Sequence, residues 1–176
     1  ESDERVFAQL ELCCRRCAKA DWPATFRAAP QVYLASYAQG SRSALRLFGA
    51  VVKELARKGL PRDRRVLKED AAVLLPDVAQ ALKVASNPVK DLETVRILAK
   101  AATRLLHHAE TASEQVYDVL LQLDALAVTD FLEAAPRLRR KLQTVVVLLS
   151  AWRRSPAFAQ QYGAPFLQRA VAALGE

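Results

Sequence analysis

The 176-residue chain has the length of about one domain, and its 52% hydrophobic and 26% charged residues exclude a disordered polar tail. No run of about 20 apolar residues without charge occurs, which excludes a membrane-spanning helix. The net charge of +7 points to an anionic partner: nucleic acid, an anionic membrane surface or an acidic protein.

Only 5 glycines are present and the apolar residues are mostly Ala and Leu, the side chains that lose least on entering a helix. Apolar spacing and cap residues predict about seven or eight helical segments. The first runs from a Ser2 cap through Val6, Leu10, Cys13, Cys14 and Cys17 to the neighbourhood of Ala20. Asp21, Pro23 and Pro30 break the pattern into a short helix and a second one carrying Val32, Leu34 and Tyr37. Beyond Gly40-Ser41 a helix places Leu45, Phe48, Val52 and Leu55 on one face and ends at Gly59, read as its left-handed cap residue. Leu60 to Asp63 is a linker, and the stretch to Ser86 reads as two helical pieces divided at Pro76.

Asn87-Pro88 makes the next break. From Asp91 a helix presents Leu92, Val95, Leu98, Ala99, Ala102 and Leu106, and Thr111 to Glu114 offers a capping box for a helix carrying Val116, Val119, Leu120 and Leu123. Thr129 caps a new start, Pro136 kinks or restarts it, and Leu138, Leu142, Val145, Leu149 and Trp152 keep helical spacing. A final helix follows Ser155-Pro156, divided by Gly163 and Pro165. The β-branched run Val145-Val146-Val147 favours a strand, but the flanking residues hold the helical period and no partner strand is visible. That helix is apolar on two sides, which offers Val146, Val147 and Leu148 to a protein partner.

The expectation is therefore an all-α chain, a single helical domain over residues 1–176, built of antiparallel hairpins stacked as a short α-solenoid or an irregular bundle. The periodic helices beginning near Ser41, Asp91 and Pro136 lie about 45 to 50 residues apart, close to the repeat length of HEAT and armadillo arrays.

Catalytic signals are missing from this pattern. Cys14 and Cys17 have CxxC spacing, but a redox pair needs a helix N-terminus to stabilise its thiolate and this pair falls in mid-helix. Zinc needs four ligands, and the adjacent His107 and His108 point about 100° apart on a helix. The cysteines read as small core residues in a reducing compartment, and His107 as a solvated side chain. No Gly-rich phosphate loop and no nucleophile–base arrangement occurs. The chain is expected to be no enzyme and to hold no cofactor and no metal.

The basic residues fall on helical faces. Arg42, Arg46, Lys53 and Arg57 form one stripe opposite Leu45, Phe48, Val52 and Leu55; Arg96, Lys100, Arg104 and His107 form a second. Arg137, Arg139, Arg140 and Lys141 make a third group, and Arg62, Arg64, Arg65 and Lys68 a fourth. Any amphipathic helix needs a charged outer face, so each stripe alone is ordinary. Stacked side by side, the stripes would neutralise successive phosphates of RNA. Aromatics are sparse, at 7%, and no aromatic RNA-binding motif is present, so no base readout is expected.

The stretch Val119-Leu-Leu-Gln-Leu-Asp-Ala-Leu-Ala-Val-Thr-Asp-Phe-Leu132, followed by an Arg-rich helix, resembles the helical-pair repeats of octotricopeptide and RAP-domain proteins, including the Fas-activated-kinase-like group. A second repeat of this kind lies around Val95 to Leu106. The resemblance implies an α-solenoid in mitochondrial or plastid RNA metabolism, or a component of a ribonucleoprotein, and a mitochondrial location. The chain begins Glu1-Ser2-Asp3-Glu4 without a Met or a leader, as expected of a processed mature form or a piece of something longer.

Overall fold

The computed structural model describes residues 2–86 and 91–109, and these are helical almost throughout. The helices are α1 (Ser2–Ala20), α2 (Ala29–Ala38), α3 (Arg42–Leu55), α4 (Pro61–Ser86) and α5 (Leu92–Leu106). No strand occurs among the described residues. Within those residues no helix is long and apolar enough to cross a membrane.

Local chemistry sets the boundaries. At the end of α2, Gly40 takes a φ of 104°, its amide donates to the Tyr37 carbonyl, and the Ser41 amide reaches back to the Ser36 carbonyl. This is the paired-bond stop that needs a left-handed residue, and only glycine adopts it at no steric cost. Ser41 then starts α3 at once, its Oγ accepting from the Ala44 amide at 3.3 Å. Asp91 does the same for α5, accepting from the Glu93 amide at 3.0 Å and from Thr94 Oγ1 at 2.7 Å.

Four local expectations change. The linker expected over Leu60 to Asp63 gives way to helix from Pro61, where α4 begins, since a proline fits the first turn of a helix. Gly59 is not left-handed: α3 ends at Leu55 and closes through turn bonds from Ala56, Arg57 and Lys58. The short helix expected between Asp21 and Pro30 is a run of turns at residues 21–28, pinned by the buried Trp22 and by Arg27, which reaches Asp70 on α4 at 2.7 Å. Pro76 does not divide the fourth segment; α4 runs unbroken through it. An internal proline costs a helix roughly 3 kcal/mol, but Pro76 and Ala72, whose carbonyl loses its partner, face solvent. Leu74, Leu75, Val78 and Leu82 on the inner face are fully buried, at about 1.5–3 kcal/mol each, and outweigh that cost.

Pairs across the helices fix the topology. Arg46 lies over the Phe7 ring at 4.5 Å, Arg15 reaches Glu54 at 2.8 Å, and Lys58 reaches the Lys19 carbonyl at 2.6 Å. Each pair is 39 residues apart, and a constant offset of one sign means that α1 and α3 run parallel. Arg42 with Asp91, Gly49 with Ile97 and Arg57 with Arg104 repeat the pattern at 47 to 49 residues, so α3 and α5 are parallel as well. Helix α2 packs on α3, α4 on α5 and α2 on α4.

The result is two layers of stacked hairpins, α1, α3 and α5 in one and α2 and α4 in the other. Starts at Arg42 and Leu92 reproduce the expected repeat spacing; the third start, at Pro136, lies outside the described residues. Phe48, Leu45 and Leu55 of α3 meet Leu67, Leu74, Leu75 and Leu82 of α4 and Leu98, Leu105 and Leu106 of α5 in one core. Helix α5 buries Ala99, Ala101 and Ala102 around more than one face, small residues that let neighbouring backbones approach closely.

Candidate functional site

Parallel stacking brings the C-terminal ends of α1, α3 and α5 to one edge of the molecule, and the N-terminal end of α4, which follows α3 directly, to the same edge. Helix C-termini carry partial negative charge and unpaired carbonyls, so cations there have a structural role first. Lys58 fills that role for α1 by donating to the Lys19 and Trp22 carbonyls at 2.6 and 3.4 Å. Arg64 Nε lies 3.5 Å from the Lys58 carbonyl. His108 is half-buried and bonds the Ala56 backbone, and its imidazole is held below the ordinary histidine value. Burial lowers it most, the Ala56 bond raises it, and the charges of His107 and Arg64 lower it again.

More cations gather at this edge than caps require. Arg57, Arg62, Arg64, Arg65 and His107 are exposed, and Arg104 is half-buried. Burial first, and the charge of Arg57 second, hold Arg104 below the ordinary guanidinium value. Among the described residues no carboxylate pairs with Arg104, whereas Arg57 pairs with Glu54 at 3.3 Å.

Two acidic groups lie near this edge. Glu54 accepts from Arg15 at 2.8 Å and from Arg57 at 3.3 Å. Burial alone would raise its carboxyl; the Arg15 hydrogen bonds and charge, with Arg57 and Lys53, outweigh that and hold it below the ordinary carboxylate range. Asp63 is buried, 3.6 Å from Arg62 Nε, and its Oδ1 has no hydrogen-bond partner.

The basic stripes of the sequence separate accordingly. From the first, Arg57 reaches the edge and Lys53 lies half-buried one turn before it, while Arg46 sits over Phe7 and Arg42 lies at the opposite edge, near Asp91 and Tyr37. From the second, Arg104 and His107 join the edge, Lys100 is half-buried, and Arg96 pairs with Glu93 at 3.7 Å. Thr103 and Leu105, on the flanks of this stripe, are buried, so it is narrower than a fully solvated helix face. Arg62, Arg64 and Arg65 are exposed in the first turns of α4, at the same edge. Arg137, Arg140 and Lys141, like Val146, Val147 and Leu148, lie outside the described residues.

The cysteines divide. Cys14 is buried with its Sγ 3.2 Å from Tyr33 Oη, Cys17 is half-buried and Cys13 is exposed, so only one is a true core residue. Burial, then the Cys14 hydrogen bond and the neighbouring Cys14 and Cys17, raise the Tyr33 hydroxyl well above the ordinary tyrosine value. Among the described residues no group of three or more His, Cys, Asp or Glu side chains is placed to hold a metal ion. At the opposite edge a groove of about 650 Å³ lies between α2 and α4, walled by Leu34, Ala38, Ala81 and Val84 and rimmed by Tyr37, Arg42 and Asp77.

No family model matches this chain, and no curated protein or solved structure matches it.

Proposed function

We propose that the chain is a nonenzymatic helical-repeat protein that binds RNA along the edge formed by Arg57, Arg62, Arg64, Arg65, Arg104 and His107. The single observation that carries this reading is the gathering of the exposed Arg57, Arg62, Arg64, Arg65 and His107 with Arg104 at the edge where α3 and α5 end and α4 begins. A phosphate seated among guanidinium groups gains charge-assisted hydrogen bonds with each that it reaches. Guanidinium groups from three helices along one edge suit a backbone with a phosphate at every nucleotide. Contacts of this kind position a strand without reading its sequence.

Fluorescence anisotropy with a labelled oligouridine tests the reading. Arg57→Glu/Arg104→Glu is expected to weaken binding by a factor of roughly a hundred, from about 1–2 kcal/mol lost at each phosphate contact. Arg96→Glu, away from the edge, is expected to change it little. Equal affinity of the edge variant and the parent chain refutes the reading.

A further inference from the structure

We infer that α1 and α2 form a docking slot for one amphipathic helix of a partner protein, antiparallel to α1 and carrying acidic residues along one flank. Each of α3 and α5 has a second-layer helix on its inner side, α2 and α4. Helix α1 has the place of α3 and α5 in the first layer, and the second-layer position ahead of α2 is empty among the described residues.

The side chains facing that position are the ones a missing helix would cover. At about 100° per residue, Val6, Leu10, Cys13 and Cys17 fall within an arc of roughly 60° on α1. Cys14, next to that arc on the core side, contacts Tyr33 of α2, which orients the stripe toward the second layer. Val6 is 67% exposed, Leu10 47% and Val32 of α2 56%. Val32 shares a face with Ala35, one turn on, and lies far round α2 from Leu34, which lines the groove against α4. Val6, Leu10 and Cys13, exposed on α1 at spacings of four and three, have the spacing of the seam of a helix pair.

Continuity with the α2–α4 layer gives the occupant its direction, since a helix parallel to α2 and α4 runs antiparallel to α1. Charge gives its flank. Arg5 and Arg16 are exposed and border the stripe on the side away from the core, with the uncharged Gln9 between them. A partner helix with Glu or Asp along that border meets both, and one with Lys meets repulsion. This surface is separate from the basic edge, and its test does not depend on RNA binding.

The probe is a synthetic helical peptide with leucines at the same four-three spacing and Glu on one flank, compared with an isomer carrying Lys there. With the full chain, the Glu peptide is expected to bind and to slow maleimide labelling of Cys13. The Lys isomer is expected to bind roughly tenfold more weakly, and Arg5→Glu/Arg16→Glu to reverse the preference. Val6→Glu/Leu10→Glu, both at exposed positions, is expected to abolish binding with an unchanged far-ultraviolet circular dichroism spectrum. Unaltered Cys13 labelling at saturating peptide, or equal binding of the two isomers, overturns the proposal. A dimer of the chain itself, seen by sedimentation and lost in Val6→Glu/Leu10→Glu, overturns it in favour of a second copy as occupant.

Discussion

Arg57, just beyond the end of α3, and Arg104, in the last turn of α5, stand at one edge on parallel helices, where the charge of Arg57 lowers the Arg104 guanidinium and Glu54 is shared by Arg57 and Arg15. Such an arrangement adds little to folding. Arg57→Gln loses one exposed ion pair and relieves one repulsion, so its stability in urea should lie within about 0.5 kcal/mol of the parent. A loss of several times that amount would mean that Arg57 holds the fold together.

Gly49 lies tightly against α5: a Cβ there would lie 2.7 Å from Ile97 Cγ2. The clash falls on a β-branched side chain with little rotamer freedom. Gly49→Ala gains up to about 1 kcal/mol in helix propensity but loses about 1–3 kcal/mol to overpacking. A net loss of roughly 1 kcal/mol is expected in chemical denaturation. In an Ile97→Ala background the same substitution should become stabilising, and a double-mutant cycle reads the difference.

Pro76 lies on the solvent side of α4, where Ala72 lacks its helical hydrogen bond. Pro76→Ala restores that bond without touching the core, and should raise stability by about 1–3 kcal/mol. Thermal unfolding followed by circular dichroism measures it.

His108 gives the fold a pH dependence on the acid side. Its folded value lies below the ordinary 6.5, chiefly through burial, so the unfolded chain binds the proton more readily. The stability it contributes is complete above about pH 6.5 and is lost as pH falls from there toward the folded value. His108→Gln should therefore flatten the stability profile as pH falls below about 6.5. An unchanged slope would show that the imidazole titrates alike in both states.

The sequence carried the fold well where structure is local. Ser41 and Asp91 announced helix starts through their side-chain oxygens, and Leu45, Phe48, Val52 and Leu55 announced the inner face of α3. Pro76 misled because its cost is local while the burial that overrides it is tertiary. Gly59 misled because Gly40, nineteen residues earlier, was the glycine with a positive φ, and nothing in either neighbourhood's composition separates the two. The site was half legible. Periodicity placed Arg57 and Arg104 on outward faces, but their placement at one edge depends on α3 and α5 running parallel, a relationship between segments that no single helix reveals. Arg46 sat on the same stripe as Arg57 and is instead engaged with Phe7, because α1 packs against that part of α3.

The salt dependence of RNA affinity tests the central claim most directly. If phosphates sit on the basic edge, the logarithm of the binding constant falls linearly with the logarithm of salt concentration, with a slope near −0.7 for each phosphate neutralised on a single strand. Arg57→Gln/Arg104→Gln should then make the slope shallower by about 1.4, two contacts' worth. A slope identical in the variant and the parent chain would contradict the account.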